Sequence, residues 1–450
     1  MSDFRLQPWP GTIAITTFFA FCSWRNFINE WMGSMYKLYE KNTSGIKKKI
    51  RELADRAETR QALEYIRCME PETITIQKEL ALIEAPTFYE QKRGEQLRRL
   101  FSGFGLDAVT MDALGNVYGT LRGKNQNNGE IKAGEDCIVI EAHMDTVFPF
   151  GTVKSVHQDG TCLFCPGISD NTRGLALLCS LIRCFKANKI EPDKSIIFLA
   201  TVREEGLGGF GGIRYFLEQH PRIEACVSVD GPDSDCVIYG GPGIQNWRVK
   251  FQSEGGHAFK HYGIVGNPIH AAVRAMNQLI TVRLPDTPKT TFEITGFSAG
   301  TTEGIGAIPA VAELNLNFRS TDEIKLQKLV QLVKEAIEKG VRDENTYIGH
   351  ESVHFKIEIT ADVPVSSQAS DNYMVSSMAA VIRHLEMKPT LDGSCPTNAS
   401  ITIGKGIPGI CIGGGGRAGA NHSMAEWFDT MGSYLGVQAA FLELMLLSSD

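Results

Sequence analysis

The stretch Ile138-Val-Ile-Glu-Ala-His-Met-Asp-Thr-Val147 joins an apolar run to a polar end, and the rest of the chain is interpreted around it. The apolar residues are typical of a buried strand, and His143 and Asp145 stand two positions apart where that strand ends. Residues at i and i+2 project from one face of an extended segment, so the imidazole and the carboxylate can meet. An aspartate that accepts the second ring N–H of a histidine strengthens it as a metal ligand. Taken alone, the pair is more simply explained as a polar strand end, and only the residues downstream favour a metal site.

Length and composition predict a globular protein with two domains. At 450 residues the chain is too long for one ordinary core, and it is 43% hydrophobic and 22% charged. Its net charge of -7 provides no basic surface for a polyphosphate, which argues against a nucleic-acid partner. The 11 cysteines are scattered, as expected for reduced thiols in a cytoplasmic protein. Cys162 and Cys165 form a C-x-x-C pair without the second pair that a zinc ribbon needs.

The N-terminus contains an apolar run, Thr12–Trp24, between two arginines. The run has the length of a signal-peptide core but is shorter than the ~20 residues that span a bilayer, and no small-x-small cleavage site follows it. Met32 and Met35 offer later starts for the chain. We therefore treat residues 1–45 as an extension of uncertain status and expect a cytoplasmic protein without membrane contact, with export or tethering left open.

Two further apolar runs end in acidic residues. Ser195–Thr201 is predicted to be a strand buried on both faces, and it leads to Glu204 and Glu205. Adjacent glutamates are common in solvated turns, but two at the end of a buried strand repel each other unless a cation lies between them. Ala225–Val229 is predicted to be the next strand, and Asp230 follows it directly.

Two other polar residues are predicted to reach the same place. Asp170 precedes an apolar helix predicted from Leu175 to about Phe185, where it could also serve as no more than a helix cap. Four glycines from Gly413 precede His422; because no Gly-Lys-Ser/Thr follows them, they are not a phosphate-binding P-loop. Since ligands bind beyond the carboxyl ends of the strands in open α/β sheets, we expect Asp170 and His422 to converge with the strand-end residues.

The order of the elements predicts an insertion in the middle of the chain. An α/β catalytic domain, with a central, mostly parallel sheet flanked by helices, is predicted to comprise residues 46–242 and 361–450. Residues 243–360 have the order β-α-β-β-α-β and are predicted to form an α+β, ferredoxin-like lid or dimerisation domain. The predicted elements of the insertion are strands Gln245–Ser253, Thr291–Phe297, Val311–Phe318 and His354–Thr360, and helices Pro268–Val282 and Ile324–Lys339.

These residue types suit a hydrolase that uses two metal ions. An aspartate with two carboxylate oxygens can bridge metals about 3.5–4 Å apart, and such a pair polarises a carbonyl and lowers the pKa of a bridging water. A glutamate next to the metals can take the proton of that water and pass it to the leaving nitrogen. Of Glu204 and Glu205, one must therefore bind metal and the other must carry the proton.

A set of motifs in this order resembles metallopeptidase family twenty. This family includes tripeptide aminopeptidases, glutamate carboxypeptidases and acetylornithine deacetylase-like deacylases, and the resemblance extends from about Thr73 to the C-terminus. The motifs are Ala142-His-Met-Asp-Thr146, Gly167-Ile-Ser-Asp-Asn171, Glu204-Glu205-Gly206, Val229-Asp230-Gly231, Gly255-Gly-His-Ala258 and His422-Ser423.

The resemblance implies two zinc ions per subunit, with cobalt or manganese as possible substitutes. One zinc would be held by His143, Asp170 and Asp230. The other would be held by Asp170, Glu205 and His422, so that Asp170 is shared between the two ions.

The resemblance also implies roles for residues that do not bind metal. Asp145 would orient the histidine beside it, and Glu204 would be the general base and acid. His257, in the lid, would stabilise the oxyanion, in many members from a partner subunit, and Arg319 would bind a substrate carboxylate. Asn398 occupies a position where many members have an acid, and we therefore assign it to substrate recognition.

The resulting prediction is a cytoplasmic, homodimeric two-zinc hydrolase that cleaves an amide bond of a short peptide. The segment Ser228-Val-Asp-Gly231 is more similar to the di- and tripeptidases of the family than to the deacylases. An N-acyl amino acid deacylase of the acetylornithine deacetylase or succinyl-diaminopimelate desuccinylase kind is the alternative. A non-catalytic binding protein on the same fold is a more remote one, because every predicted metal ligand and Glu204 are present.

Overall fold

The computed structural model describes residues 43–124, 137–220, 222–301 and 303–449. The apolar run Thr12–Trp24, and with it the question of export or tethering, lies outside these ranges. Among the helices in the described ranges, none is both long and apolar enough to cross a membrane.

The helices and strands alternate along most of the chain. The helices are α1 (Thr43–Ala54), α2 (Ala57–Cys68), α3 (Glu70–Ala81), α4 (Gln91–Gly103), α5 (Thr172–Ala187), α6 (Gly211–Gln219), α7 (Pro268–Leu279), α8 (Glu323–Ile348), α9 (Tyr373–His384), α10 (Asn398–Gly404) and α11 (Tyr434–Ser449). The strands are β1 (Asp107–Met111), β2 (Val117–Leu121), β3 (Cys137–His143), β4 (His157–Asp159), β5 (Cys162–Phe164), β6 (Ser195–Thr201), β7 (Ile223–Val229), β8 (Cys236–Ile238), β9 (Gly243–Gln252), β10 (Gly256–His257), β11 (Thr290–Ala299), β12 (Ala307–Ile308), β13 (Val311–Ser320), β14 (His354–Val363), β15 (Thr390–Asp392), β16 (Gly409–Ile412), β17 (Arg417–Gly419) and β18 (Trp427–Asp429).

An eight-stranded sheet forms the centre of the larger unit, in the order β1-β2-β6-β3-β7-β16-β8-β15. Strands β6, β3, β7 and β16 are parallel, and β1 and β2 form an antiparallel hairpin at one side. Every residue of β3 and β6 is buried. On β3, Ile138 and Ile140 pack into one apolar cluster and Val139 into another, so the sheet is covered on both faces. The predicted α/β fold with a central, mostly parallel sheet is confirmed.

The N-terminal helices differ from the prediction in one respect. The charged residues that alternate with Leu and Ile from about Lys47 to Arg67 predict one solvated helix. The structure instead has two helices, α1 and α2, with a break after Ala54. Ile46 and Ile50, both 1% exposed, join the main apolar cluster. The expected solvation is wrong for this face, because α11, which is apolar around its whole circumference, needs a covering layer that the apolar stripe of α1 helps to provide.

The second unit contains the predicted β-α-β-β-α-β order in β9, α7, β11, β13, α8 and β14. Its four strands are antiparallel in the order β11-β13-β9-β14, and α7 and α8 cover one face. Helix α8 extends beyond the predicted end at Lys339 and stops before Gly349, whose φ of 90° ends it. We refer to this unit as the lid.

Candidate active site

The parallel strands place the predicted residues at one edge of the main sheet. His143 is the last residue of β3 and pairs with Thr201 of β6, so Glu204 and Glu205 follow at the neighbouring strand end. Strand β7 lies on the other side of β3 and ends directly before Asp230. Carboxyl ends of adjacent parallel strands meet at one edge, which is why residues distant in sequence converge here.

The first group of possible ligands surrounds His143, which is 2% exposed. Its Nδ1 lies 3.1 Å from the main-chain oxygen of Asp145 and 3.5 Å from Oδ1 of the same residue. Its Nε2 lies 3.1 Å from Asp170 Oδ1 and 3.8 Å from Asp230 Oδ1. Acceptors at Nδ1 favour the tautomer that leaves Nε2 free to bind a metal.

The second group shares Asp170 with the first. His422 Nε2 lies 3.0 Å from Asp170 Oδ2 and 3.0 Å from Glu205 Oε1. Candidate donor atoms of these three residues all lie within 4.8 Å of one another, as do those of His143, Asp170 and Asp230. The structure therefore brings together all five side chains predicted to hold metal, with Asp170 between the two histidines.

Acidic side chains surround the two imidazoles of this cluster and shift the pKa values of its members. Hydrogen bonds to Asp170 and Glu205 raise the pKa of His422 to about 11. Burial by itself raises the pKa of Asp170, but the close contacts and the charges of both histidines outweigh it and lower that pKa. A metal must displace protons from these imidazoles, so its binding will be weaker at low pH.

Asp145 is fully buried and holds several groups at once. Its Oδ1 accepts the N–H of Glu204 at 2.9 Å, and its Oδ2 accepts the N–H of Glu205 and the hydroxyl of Thr87, each at 2.9 Å. Burial raises the pKa of Asp145, but the hydrogen bond and charge of His143 and these N–H donors outweigh it, and the net shift is downward. Asp145 therefore fixes the two glutamates as well as the histidine.

Glu204 lies next to the metal-binding groups. Its carboxylate belongs to a possible donor set with His143 and Glu205, and it lines the cleft. Burial and then the nearby acids, Asp230 among them, raise the pKa of Glu204 well above its usual value, against the opposing charge of His143. A raised pKa suits a carboxylate that accepts and returns a proton near neutral pH.

The cleft above these residues has a volume of about 530 Å³. Arg319 of the lid lines it, as does Asn246 of the neighbouring lid strand. His257 is exposed and does not line this cleft; its Nδ1 accepts the N–H of Phe259 at 3.2 Å. Of the two predicted lid residues, the structure brings one to the cleft of the same chain.

Asn398 is not placed where a substrate could reach it. The side chain is 3% exposed and donates to Glu141 Oε2 at 2.9 Å and to Thr201 Oγ1 at 3.0 Å, beneath the strand ends. Its assignment to substrate recognition is therefore not supported, since a neutral amide here serves as a buried donor to Glu141. The adjacent Thr397 does line the cleft.

The donor set fits two divalent cations. His143 Nε2 and Asp170 Oδ1 are buried, and within the described ranges neither has a partner in hydrogen-bonding geometry, although the two atoms lie close together. Buried polar atoms without partners are costly, and a cation between them would satisfy both. Imidazole nitrogen and carboxylate oxygen are ligands of zinc, and they also suit cobalt and manganese.

Comparison with known proteins identifies the family. A sequence profile of peptidase family M20/M25/M40 matches residues 139–447. The chain belongs to this family. Membership confirms the family predicted from the motifs, and the matched residues include every predicted metal ligand and the lid.

Three known proteins illustrate what this chain is similar to. Succinyl-diaminopimelate desuccinylase of Alkalilimnicola ehrlichii is 29% identical over 191 residues, 39% of this chain and 50% of that enzyme, so only half the relative's length is matched. A tripeptidase from Staphylococcus aureus has a TM-score of 0.67 at 19% identity, covering 85% of this chain and 99% of that one. YxeP of Bacillus subtilis, described as a dinuclear metal binding peptidase from the M20 family, has a TM-score of 0.60 at 15% identity, covering 85% and 99%. At these identities the two structures show that the fold is shared.

The motifs did not reveal all the residues that shape this M20-family site. Arg173 is fully buried, and it donates to the main-chain oxygens of Gly414 and Ser433 at 2.7 Å each. Its Nη1 lies 3.0 Å from Glu70 Oε1. These contacts tie the start of α5 to the glycine run and to α3. Nothing in the sequence around Arg173 distinguishes it from a surface arginine.

Proposed function

We propose that this chain is a metal-dependent hydrolase that cleaves the amide bond of short peptides. The observation that carries the proposal is the convergence of two donor triplets on Asp170, with Glu204 beside them and Arg319 lining the same cleft. One small substrate in this cleft could therefore contact the metal ions, a proton carrier and a cation that binds its carboxylate.

Each residue has a distinct task in the proposed reaction. Bound metal ions would polarise the scissile carbonyl and activate the attacking water. The carboxylate of Glu204 takes the proton of that water and delivers it to the leaving nitrogen, a role that its raised pKa favours. Asp145 holds the main chain of Glu204 and the ring of His143 in place. Arg319 binds the substrate carboxylate through its two parallel N–H donors.

We propose two zinc ions as the native metals, the first on His143, Asp170 and Asp230 and the second on Asp170, Glu205 and His422. Support for a pair of ions comes from the shared aspartate and from YxeP, which is described as a dinuclear metal binding peptidase. Cobalt and manganese accept the same nitrogen and oxygen donors and are the alternatives.

We also propose that residues 46–242 and 361–450 act as the catalytic domain, that residues 243–360 act as a lid, and that two chains associate through their lids in the cytoplasm. The exposed position of His257 supports a role across such a dimer, because this residue does not line the cleft of its own chain. The dimer would place each His257 where it can stabilise an oxyanion in the partner's cleft.

A deacylase of N-acyl amino acids is the second candidate. The desuccinylase of Alkalilimnicola ehrlichii supports it, although the match spans half of that enzyme. The tripeptidase from Staphylococcus aureus, whose fold is shared over 85% of this chain, favours peptides. Both reactions break an amide bond, so the metal site and Glu204 serve either one equally.

The test is hydrolysis of a panel of dipeptides, tripeptides, N-acetyl amino acids and N-succinyl amino acids by zinc-loaded protein, with Glu204→Ala as the inactive control. Cleavage of peptides with a free amino terminus is the expected result. Cleavage restricted to the acylated compounds would establish the deacylase instead. If the wild-type protein binds two zinc ions and cleaves none of the compounds, the hydrolase proposal is wrong.

A further inference from the structure

Glu426 follows His422 closely in sequence and is fully buried. Its carboxylate accepts three main-chain N–H groups from the loop that carries Asp170. Oε2 accepts the N–H of Gly167 at 2.8 Å, and Oε1 accepts those of Ser169 and Asp170 at 2.9 Å and 3.1 Å. One buried side chain therefore holds most of the main-chain donors in the segment that delivers the shared aspartate.

The main chain around Glu426 reinforces this connection. Its carbonyl oxygen accepts the N–H of Cys165 at 3.2 Å, and β18, which begins at the next residue, pairs antiparallel with β5. The N–H of Ile168 in the same loop bonds to the oxygen of Cys165 at 3.1 Å. Every N–H from Gly167 to Asp170 thus has an acceptor, and the loop has little freedom to move away.

We propose that Glu426 is a positioning residue that sets the distance between Asp170 and His422 and thereby assembles the second metal group. Asp170 Oδ2 and His422 Nε2 lie 3.0 Å apart, and each belongs to a loop that Glu426 joins to the other. The inference rests on the proposed function, because it concerns the same metal ligands.

A glutamate carboxylate is the only common side chain of this length that can accept all three of these main-chain N–H groups. Ionised glutamate offers two acceptor oxygens and no donor, which suits three N–H groups. Glutamine has the same shape, but its NH2 group would face either Gly167 N–H or the N–H groups of Ser169 and Asp170. Glu426→Gln therefore loses at least one of the bonds and sets two donors against each other, with little change in volume.

The experiment compares Glu426→Gln with Glu443→Gln, a matched control. Glu443 is also 0% exposed, lies on α11 and does not line the cleft. Zinc affinity is measured on metal-free protein by competition with a chromophoric chelator, and cobalt-loaded protein gives the absorption spectrum of the ligand field.

For Glu426→Gln we expect one of the two ions to bind roughly 10–100-fold more weakly, as for other groups that orient ligands. The cobalt spectrum should change, and kcat should fall while KM stays near its wild-type value. Glu443→Gln should retain the wild-type affinity and spectrum.

The remaining outcomes of this experiment either reject or support the positioning role of Glu426. Wild-type zinc affinity and cobalt spectrum in Glu426→Gln would overturn the inference, and so would an equal loss in both variants, since burial alone would then explain it. If Glu426→Gln does not fold, Glu426→Asp keeps both oxygens on a shorter side chain. A folded Glu426→Asp with weakened zinc binding supports the positioning role, whereas wild-type binding or a second failure to fold rejects it. If the wild-type protein itself binds no metal, the proposed function fails, and this role fails with it.

Discussion

The floor of the cleft and the lid above it differ in how firmly their predicted functional residues are held. On the floor, His143 is 2% exposed and Asp145 is fully buried, and both have several polar contacts. On the lid, His257 and Arg319 are exposed. In the described ranges, the side chain of Arg319 has no hydrogen bond or ion pair.

The two regions therefore differ in whether their functional side chains are held in place before a ligand binds. The floor residues are pre-organised by buried hydrogen bonds, so a metal meets donors that are already in place. On the lid, the guanidinium of Arg319 has no partner among the described residues, and His257 is exposed with only its Nδ1 engaged, by the N–H of Phe259. These side chains are therefore available to the substrate or to a second chain. Variants of the floor should therefore affect metal binding or chemistry, whereas lid variants should affect substrate binding or depend on association.

The largest effect is expected for Glu204→Ala. Because Glu204 is proposed to carry the proton and not to hold the metal, turnover should fall roughly 10²–10⁴-fold while both metal ions are retained. Metal content by elemental analysis and kcat by peptide hydrolysis check this. Glu205→Ala is the paired variant and should lose metal. Loss of metal from Glu204→Ala with retention in Glu205→Ala would exchange the two roles.

The next effect concerns His257. His257 is the proposed oxyanion donor, and removal of such a donor typically lowers kcat roughly 10²–10³-fold, so His257→Ala alone should be nearly inactive. When it is mixed with Glu204→Ala chains, each mixed dimer should regain one site with both residues intact. The measurement is the activity of the mixture after dissociation and reassociation. A verified mixed dimer without recovered activity would show that His257 does not act across subunits.

A smaller effect is expected for Arg319→Ala. A hydrogen bond to a charged group contributes about 1.5–3 kcal/mol, so the loss should raise KM roughly 10–100-fold and leave kcat and metal content close to wild type. Steady-state kinetics on a dipeptide check this. Arg248→Ala is the matched control, because Arg248 lies on the neighbouring lid strand, is paired with Glu358 and does not line the cleft. Equal effects of both substitutions would remove Arg319 from the binding site.

The smallest effect on activity is expected for Glu443→Gln, which tests burial in the absence of a catalytic role. Burial raises the pKa of Glu443 to about 8, against a hydrogen bond from Ser377. Since the folded-state pKa lies above the unfolded value near 4.5, the stability linked to this group is fully present below that value and is lost as pH rises towards 8. Glu443→Gln should therefore increase the free energy of unfolding by up to a few kcal/mol at pH 8 relative to pH 5, at about 1.4 kcal/mol per pKa unit. Urea unfolding at both pH values measures it. The same gain at both pH values would contradict the raised pKa.

The sequence by itself determined the buried strands of the central sheet, the fold class and the residues at the strand ends. Continuous apolar runs such as Ser195–Thr201 define strands that are buried on both faces, and the observed β6 has these bounds. Parallel strands bring their carboxyl ends to one edge, so His143, Glu205 and Asp230 could be placed together without knowledge of the contacts.

Only the tertiary structure decided which buried groups hold that site in place. Glu426 meets the loop of Asp170, Asn398 donates to Glu141, and Arg173 joins the glycine run, each across a long stretch of chain. A motif shows which side chains carry the chemistry. The need to satisfy every buried donor and acceptor, which depends on what packs beside it in three dimensions, decides which other residues hold those side chains in position.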